Sequence, residues 1–255
     1  MLEVRSLTKC YSSIPAVDNV SFTIRKGDVL GYLGPNGSGK STTVKVITGL
    51  MEPSSGTVLF QGSAINKDLA AYKRVIGYVP EEANLYPFLS GFEYLQLVAR
   101  LRGLNEWASE RRILLLLELF AMRPHRHTAI AAYSKGMRQR ILLIAALLHN
   151  PQLIIFDEPL SGLDVTSALI FRKLVSALSR EGKAIFYCSH VLEVVEKVCS
   201  HVTILQRGKQ LAYGSIAELK SFQSTPSLEA AFSSLVQEVD AEEAAEAIVD
   251  AVLSR

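Results

Sequence analysis

The chain opens with short apolar runs separated by polar turns, a pattern typical of β-strands. The run Val29–Leu33 is apolar apart from one glycine, which indicates a buried strand, and Leu153–Glu158 is an apolar run that ends in two acids. The predicted strands are Leu2–Leu7, Val17–Ile24, Val29–Leu33, Gly56–Phe60, Val75–Val79, Leu153–Glu158, Ala184–Cys188 and Val202–Leu205.

From about Leu85 to Asn150 the apolar spacing becomes helical. Two segments in this region have apolar residues on most sides, as expected of helices packed in a small bundle. The predicted helices are Phe92–Leu101, Glu110–Met122, Ser134–Asn150, Val165–Ser179 and Leu192–Val198. Beyond Gly214 we expect short helical pieces, and near the end a helical spacing that packs on the core or on a partner, at Ala244, Ala247, Ile248, Ala251 and Val252.

The composition is that of a globular protein, with 255 residues, 49% hydrophobic and 20% charged. The net charge of +2 is too small to suggest a general nucleic-acid binder. Cys10, Cys188 and Cys199 lack metal spacing and suit a reducing compartment. No apolar run approaches the roughly 18 residues of a membrane helix. We therefore expect a soluble, cytosolic chain whose membrane partner, if it has one, is a separate subunit.

The strongest motif follows the strand Val29–Leu33. It has a glycine, four residues, then Gly-Lys-Ser, which is the spacing of a phosphate-binding loop. Glycines let the backbone turn and aim its N–H groups at phosphate oxygens, and the helix that follows adds its positive dipole end. Lys40 is expected to reach the β- and γ-phosphates, and the Ser41 hydroxyl to bind Mg²⁺. The predicted nucleotide-binding residues are Gly34, Pro35, Asn36, Gly37, Ser38, Gly39, Lys40, Ser41 and Thr42.

Two further strands end in polar side chains that suit catalysis. Asp157 is expected to hold Mg²⁺, and Glu158 to polarise the attacking water as a general base. His190 follows the strand Ala184–Cys188 and would share the same sheet edge, where its imidazole can bond a γ-phosphate. A purely structural role for this histidine stays open at this point.

The helix that begins at Ser134 carries Lys135, Arg138 and Arg140 near its start and no acid there. Positive side chains at a helix start are unfavourable, because that end of the helix dipole is itself positive, unless an anion binds there. Since the chain has only one complete phosphate loop, we infer that this second start serves a nucleotide held mainly by another subunit. A surface-exposed basic turn is the alternative. Tyr11, upstream of the loop, either stacks on a base or is an ordinary loop aromatic.

With these residues in place, the chain resembles the ATP-binding subunit of an ABC transporter over residues 2 to about 214. The resemblance implies an α/β P-loop NTPase fold of ABC type, with a RecA-like mixed-sheet core, an antiparallel β subdomain and a helical subdomain at about 85–150. Residues 215–255 lie outside the match and are predicted to form a C-terminal helical extension. The resemblance also assigns roles by position, namely adenine stacking to Tyr11, Walker A to Gly34–Thr42, Walker B to Leu153–Glu158, the D-loop to Ser161–Asp164 and the switch histidine to His190.

The same resemblance implies two subunits that close head to tail on two ATP molecules with Mg²⁺. The complete motif set permits a homodimer, which we favour over a heterodimer. Ser134 and Gly136 of one subunit would complete the phosphate site of the other, with Asp164 at the same interface. A separate transmembrane permease would carry the cargo and hold the subunit on the inner face of the cell membrane. No nucleic acid is expected as a partner.

Two positions depart from the family pattern. Tyr133–Met137 stands where the family has Leu-Ser-Gly-Gly-Gln, with Lys135 and Met137 in place of glycine and glutamine. This is similar to a variant common in subunits of ABC-2 type transporters, mostly exporters. Glu81 aligns with the glutamine of the Q-loop. An ionised carboxylate can bind Mg²⁺ but cannot donate a hydrogen bond, so the metal role persists while the signalling role changes.

Two other functions compete with a transport ATPase. An ABC-type ATPase acting on DNA or ribosomes would carry a long coiled-coil or zinc-bearing insertion, or two cores in one chain, and the sequence has none of these. A regulatory module without turnover would not need Lys40, Asp157, Glu158 and His190 together.

Overall fold

The computed structural model describes residues 1–222 and 227–236, together with Val249 and Val252. Its strands are β1 Leu2–Tyr11, β2 Ile14–Ile24, β3 Val29–Leu33, β4 Ser55–Phe60, β5 Ser63–Ala64, β6 Ile76–Val79, β7 Leu153–Asp157, β8 Ala184–Cys188, β9 His201–Gln206 and β10 Lys209–Ser215. Its α-helices are α1 Lys40–Ile47, α2 Leu69–Val75, α3 Gly91–Leu101, α4 Glu106–Leu119, α5 Lys135–Leu147, α6 Val165–Arg180, α7 Leu192–Val198, α8 Ile216–Phe222 and α9 Leu228–Leu235.

The strands of the described residues form a mixed sheet in the order β5-β4-β1-β2-β10-β9-β3-β8-β7-β6. β3, β8, β7 and β6 run parallel to their neighbours, and β9 is parallel to β3. β1, β2, β4 and β5 pair antiparallel and make the other end of the sheet. Because β3, β7 and β8 are parallel and adjacent, their carboxyl ends meet at one edge.

Side chains alternate between the two faces of the central strands. On β3, Leu30 and Tyr32 join one buried cluster while Val29 and Leu33 join another. A third cluster fills the space between α3, α4 and α5 and lies apart from the sheet. The helices that the sequence predicted for a small bundle therefore do pack on one another, as their apolar residues on several sides require.

Polar side chains fix where these helices begin. Ser90 and Glu93 form a reciprocal capping box at the start of α3, and Asn105 caps α4 through Ala108 N. The Asn105 cap explains why α4 begins at Glu106, four residues before the predicted start. Among the described residues, no helix combines the length and the hydropathy needed to cross a bilayer.

Several sequence predictions need correction. β1 continues to Tyr11, so this tyrosine ends a strand and does not lie in a loop. β10 and α2 were missed because their apolar signals are weak: β10 alternates between exposed and half-buried residues, and α2 buries only Tyr72. The helix predicted over Ser134–Asn150 spans Lys135–Leu147. Of the five residues with helical spacing near the end, only Val252 lies among the described residues, where it is exposed.

The aromatic contacts under the sheet give a test of the core. Phe186 is fully buried, and its ring centroid lies 4.9 Å from that of Tyr32 and 5.8 Å from that of Phe22. Phe186→Ala should lower the free energy of unfolding by about 3–5 kcal/mol, because it removes a buried ring and leaves a cavity. Urea unfolding followed by circular dichroism measures this. Phe88, 93% exposed, supplies the matched control. Phe88→Ala should change stability by less than about 0.5 kcal/mol, and equal losses in both variants would contradict the packing.

Candidate active site

A cleft of about 670 Å³ opens at the carboxyl ends of β3, β7 and β8. It gathers residues from the loop after β3, the segments after β6 and β7, and the segment after β8. The lining residues are Ala16, Gly34, Pro35, Asn36, Gly37, Gly39, Lys40, Ser41, Thr42, Glu81, Asp157, Glu158 and His190. The predicted phosphate loop, all three predicted metal ligands and both strand-end catalytic candidates therefore face one space.

The loop between β3 and α1 has the backbone that its sequence demands. Gly39 has a φ of 101°, and a Cβ there would lie 2.4 Å from the Ala16 carbonyl oxygen, so only glycine fits. Gly37 also has a positive φ, of 78°. α1 has no acid in its first turn and no side-chain cap among the described residues. Its first N–H groups and its dipole are thus left for an anion in the cleft.

Lys40 is folded back on its own loop. Its ammonium donates to the carbonyl oxygens of Gly34 at 2.7 Å and Pro35 at 3.1 Å. Ser38 is the residue of the loop that does not line the cleft. Its buried hydroxyl has no hydrogen-bond partner among the described residues, which leaves a donor in the loop unused. Both features fit a loop that reorganises its donors around a bound phosphate.

Asp157 ends β7 and is 5% exposed. Burial raises the pKa of this carboxyl to about 6, and the negative charges of Glu81 and Glu158 also raise it. The hydrogen bond with the Cys188 thiol and the positive charge of Lys40 act in the opposite direction. The cleft is therefore a place where negative charges crowd together. A bound dication would relieve this crowding.

The oxygen atoms of Ser41, Glu81 and Asp157 are the type of ligand that Mg²⁺ prefers. Within the described residues they do not belong to a preassembled group of three or more histidine, cysteine or acidic ligands. This is what Mg²⁺ usually shows in nucleotide sites, where it keeps waters and binds phosphates alongside one or two carboxylates. The residues present fit the ion.

Glu158 is held in an uncommon conformation. Its φ of 46° lies in the left-handed region, and its N–H donates to the Cys188 carbonyl oxygen at 3.0 Å. One carboxylate oxygen, Oε1, is 2.8 Å from Nδ1 of His190. The His190 side chain is 71% exposed and that of Glu158 only 13%. The acid is thus fixed, while the histidine stands at the mouth of the cleft.

The other predicted site residues lie outside this cleft. Tyr11 is 47% exposed, and its hydroxyl donates to the Met51 sulfur at 3.3 Å. The Ser134 hydroxyl caps α5 by accepting from Met137 N at 3.2 Å. A Cβ on Gly136 would lie 2.7 Å from the Gly162 carbonyl oxygen, so the start of α5 lies against the loop that precedes α6.

Asp164 caps α6 through Ser167 N at 2.8 Å and also pairs with Arg140 at 3.1 Å. The start of α5 is therefore less cationic than its sequence indicates, because a carboxylate from another element balances Arg140. Arg138 donates to the Ala131 carbonyl oxygen at 3.3 Å. The Arg140–Asp164 pair joins residues 24 positions apart, so the local charge pattern could not reveal it.

Comparison with known proteins decides the family. A family model described as "ABC transporter" matches residues 17–161. The ABC transporter ATP-binding protein NatA of Bacillus subtilis is 39% identical over 222 residues, which cover 87% of this chain and 90% of NatA. The linearmycin resistance ATP-binding protein LnrL of the same organism is 37% identical, with 87% of this chain and 71% of LnrL covered. This chain belongs to the ABC transporter family.

Solved structures agree with this assignment. A structure titled as the ATP-binding subunit of an ABC transporter superposes with a TM-score of 0.87 and 32% identity, covering 92% of this chain and 99% of the other. The ATP-binding cassette MJ0796, in a dimeric post-hydrolysis state bound to ADP and Pi, has a TM-score of 0.78 and 25% identity over 84% of this chain and 98% of its own. Membership in the ABC transporter family confirms the predicted fold class and the predicted role as a transport ATPase. The direction of transport stays a prediction.

In this ABC ATPase the sequence missed two residues of the site. Ser189 is buried, and its hydroxyl donates to Glu158. The carbonyl oxygen of Ala16 lies directly against Gly39. Ser189 was open to prediction, since it stands between a strand end and His190. Ala16 comes from β2, and nothing in its local sequence points to the cleft.

The buried acid gives a pH-dependent prediction for the nucleotide-free protein. The folded-state pKa of Asp157, about 6, exceeds its ordinary value of 3.8, so its contribution to stability is present below about pH 4 and is lost as the pH rises through about 6. Asp157→Asn should therefore raise the free energy of unfolding at about pH 8, by up to about 3 kcal/mol, with the gain vanishing near pH 4. Urea unfolding across this pH range measures it. A variant less stable than wild type at about pH 8 would refute the argument.

Proposed function

We propose that this chain couples ATP hydrolysis to transport by closing and opening a dimer of two identical subunits. The observation that carries the proposal is the cleft itself. Residues from the ends of three adjacent parallel strands supply a phosphate loop, two acids and a histidine to one space. Each group has a step to perform in hydrolysis.

Lys40 and the loop backbone bind the triphosphate. The ammonium leaves the neutral carbonyl oxygens of Gly34 and Pro35 and donates to phosphate oxygens, which carry a negative charge of their own. The N–H groups at the start of α1 donate to the same phosphates. The loop residues Gly34–Thr42 line the cleft apart from Ser38, and all of them except Pro35 have a backbone N–H that can donate.

Ser41, Glu81 and Asp157 would hold Mg²⁺. The ion, when bound, supplies positive charge that stabilises the phosphate oxygens during transfer. The chain contributes the oxygen ligands and a crowded set of carboxylates that favours cation binding. Glu81 replaces the family's glutamine, so this loop contributes a charge to the ion in place of a hydrogen-bond donor.

Glu158 accepts the proton of the attacking water. The side chain is only 13% exposed, so bulk water does not compete for the carboxylate. The backbone is fixed because Glu158 N–H donates to the Cys188 carbonyl oxygen. His190, which is exposed at the mouth, turns from Glu158 to bond the γ-phosphate and orient it.

The second subunit completes the site. Ser134, Gly136 and Asp164 do not line their own chain's cleft, but they lie together at the starts of α5 and α6. The relative MJ0796 forms a dimer with ADP and Pi bound. By analogy, the Ser134 and Gly136 N–H groups of one subunit contact the phosphates held by the other, and Asp164 lies at the same interface. The exposed ring of Tyr11 stacks on the adenine.

A transmembrane permease subunit carries the cargo and holds this chain on the cytoplasmic face of the membrane. Export is favoured by the Lys135 and Met137 variant of the signature, and a drug-resistance relative, LnrL, supports the same direction. Residues 1–214 act as the ATPase domain, with the helical subdomain at about 85–150, and residues 215–255 form a C-terminal extension whose helices α8 and α9 pack on that domain.

Glu158→Gln tests this function. The neutral amide cannot accept the water's proton, so ATP turnover should fall by about 100-fold or more. Since ATP is then not cleaved, the variant should stay dimeric with ATP and Mg²⁺ and become monomeric with ADP, as measured by size-exclusion chromatography with light scattering. Glu181→Gln, at an exposed carboxylate beyond the end of α6, is the matched control and should behave as wild type. Undiminished hydrolysis by Glu158→Gln would refute the mechanism.

A further inference from the structure

The two carboxylate oxygens of Glu158 have different partners, both on the segment that follows β8. Oε1 lies 2.8 Å from Nδ1 of His190, and Oε2 accepts a hydrogen bond from the Ser189 hydroxyl at 3.3 Å. The proposed mechanism uses His190 but gives no role to Ser189. The serine is nevertheless 2% exposed, so it takes part in the site without contacting solvent.

The Ser189 hydroxyl has its direction fixed. Val191 N–H donates to Ser189 Oγ at 3.1 Å, which occupies a lone pair of the oxygen. A serine hydroxyl has one hydrogen, and Oε2 of Glu158 is the acceptor for it among the described residues. Accepting from the backbone and donating to a carboxylate polarise the hydroxyl in the same sense, which strengthens both bonds.

The two partners of Glu158 differ in how firmly they are held. The His190 side chain is 71% exposed and can turn away. Ser189 is buried, and its hydroxyl is tied to the backbone of Val191. When His190 bonds the γ-phosphate, as the proposed function requires, Glu158 loses its contact at Oε1. The contact at Oε2 does not depend on the nucleotide.

We propose that Ser189 is a positioning residue that keeps the Glu158 carboxylate aimed at the attacking water once His190 has turned to the phosphate. Its hydroxyl prevents rotation of the carboxylate about its last side-chain bond. The Cys188 carbonyl, which accepts from Glu158 N at 3.0 Å, fixes the backbone of the same residue. The segment Cys188–Ser189 thus fixes both the backbone and the carboxylate of the general base. This inference rests on the proposed function, since it presumes that Glu158 is the base.

Ser189→Ala and Ser189→Thr form the test pair. Alanine removes the hydroxyl and threonine keeps it. With alanine, kcat for ATP should fall by about tenfold, the scale of losing one hydrogen bond to a charged group. KM for ATP, the affinity for a fluorescent ATP analogue and the nucleotide-free melting temperature should stay near wild type, because the phosphate loop and Lys40 are unchanged. Threonine should restore kcat to within about twofold.

A double-mutant cycle with Glu158→Gln separates positioning from an independent effect. If Ser189 acts through Glu158, adding Ser189→Ala to Glu158→Gln should lower turnover no further. If alanine does not fold, Ser189→Cys replaces it, because a thiol has similar size and is a weak donor. The cysteine variant should then show the same selective fall in kcat, with threonine as the restored reference.

Three results would overturn the inference: wild-type kcat in Ser189→Ala, a loss that threonine does not restore, or a fall in nucleotide affinity that matches the fall in kcat. Failure of the proposed function has a different signature, since Glu158→Gln would then still hydrolyse ATP. Inactive Glu158→Gln with fully active Ser189→Ala would remove only the role of Ser189.

Discussion

The parallel pairing of β3, β8 and β7 is the constraint on which the site depends. In this register Asp157 pairs with Cys188, and Tyr32 pairs with the same Cys188 from the other side. The residues that follow all three strands therefore emerge at one edge, within reach of one another. A shift of one residue would turn Asp157 to the opposite face and bring Phe156 to its place. These strands are buried on both faces, so the close packing of their side chains into two separate core clusters is what opposes that shift.

Charge explains why this edge binds a nucleotide. Burial and two neighbouring carboxylates disfavour ionised Asp157, while Lys40 is bound to loop carbonyls. In the proposed function, a magnesium–triphosphate would supply a cation for the acids and an anion for the lysine and α1. The same ligand would relieve the crowding of the acids and give Lys40 a charged partner. A ligand can shift a conformational equilibrium only by its difference in affinity for the two states, and in the proposed dimer that difference comes from the phosphate contacts that the second subunit adds.

The sequence predicted the cleft well because its motifs are local. A phosphate loop needs a strand, a turn and a helix in succession, and the acids and His190 follow strands directly. What it could not predict are contacts between distant segments. Arg140 pairs with Asp164, 24 residues away, and so the start of α5 is less cationic than it looks in sequence. Ser189 bonds an acid 31 residues away. The sequence did not predict β10 and α2, because neither has a strong periodic pattern of apolar residues. The domain boundary at about residue 214 and the role of each site residue stay predictions.

The most direct test of the central claim, that one chain's cleft is completed by another chain's α5 start, is to mix two defective variants. Lys40→Ala disables the cleft, and Ser134→Arg blocks the surface offered to a partner; both are made in the Glu158→Gln background, so that bound ATP is not cleaved. Each variant alone should stay monomeric with ATP and Mg²⁺ in light scattering. In the mixture, one intact cleft faces one intact α5 start, so ATP-dependent heterodimers should form and be captured through a tag on either chain. A mixture that stays monomeric, or a Ser134→Arg chain that still dimerises alone, would contradict the account.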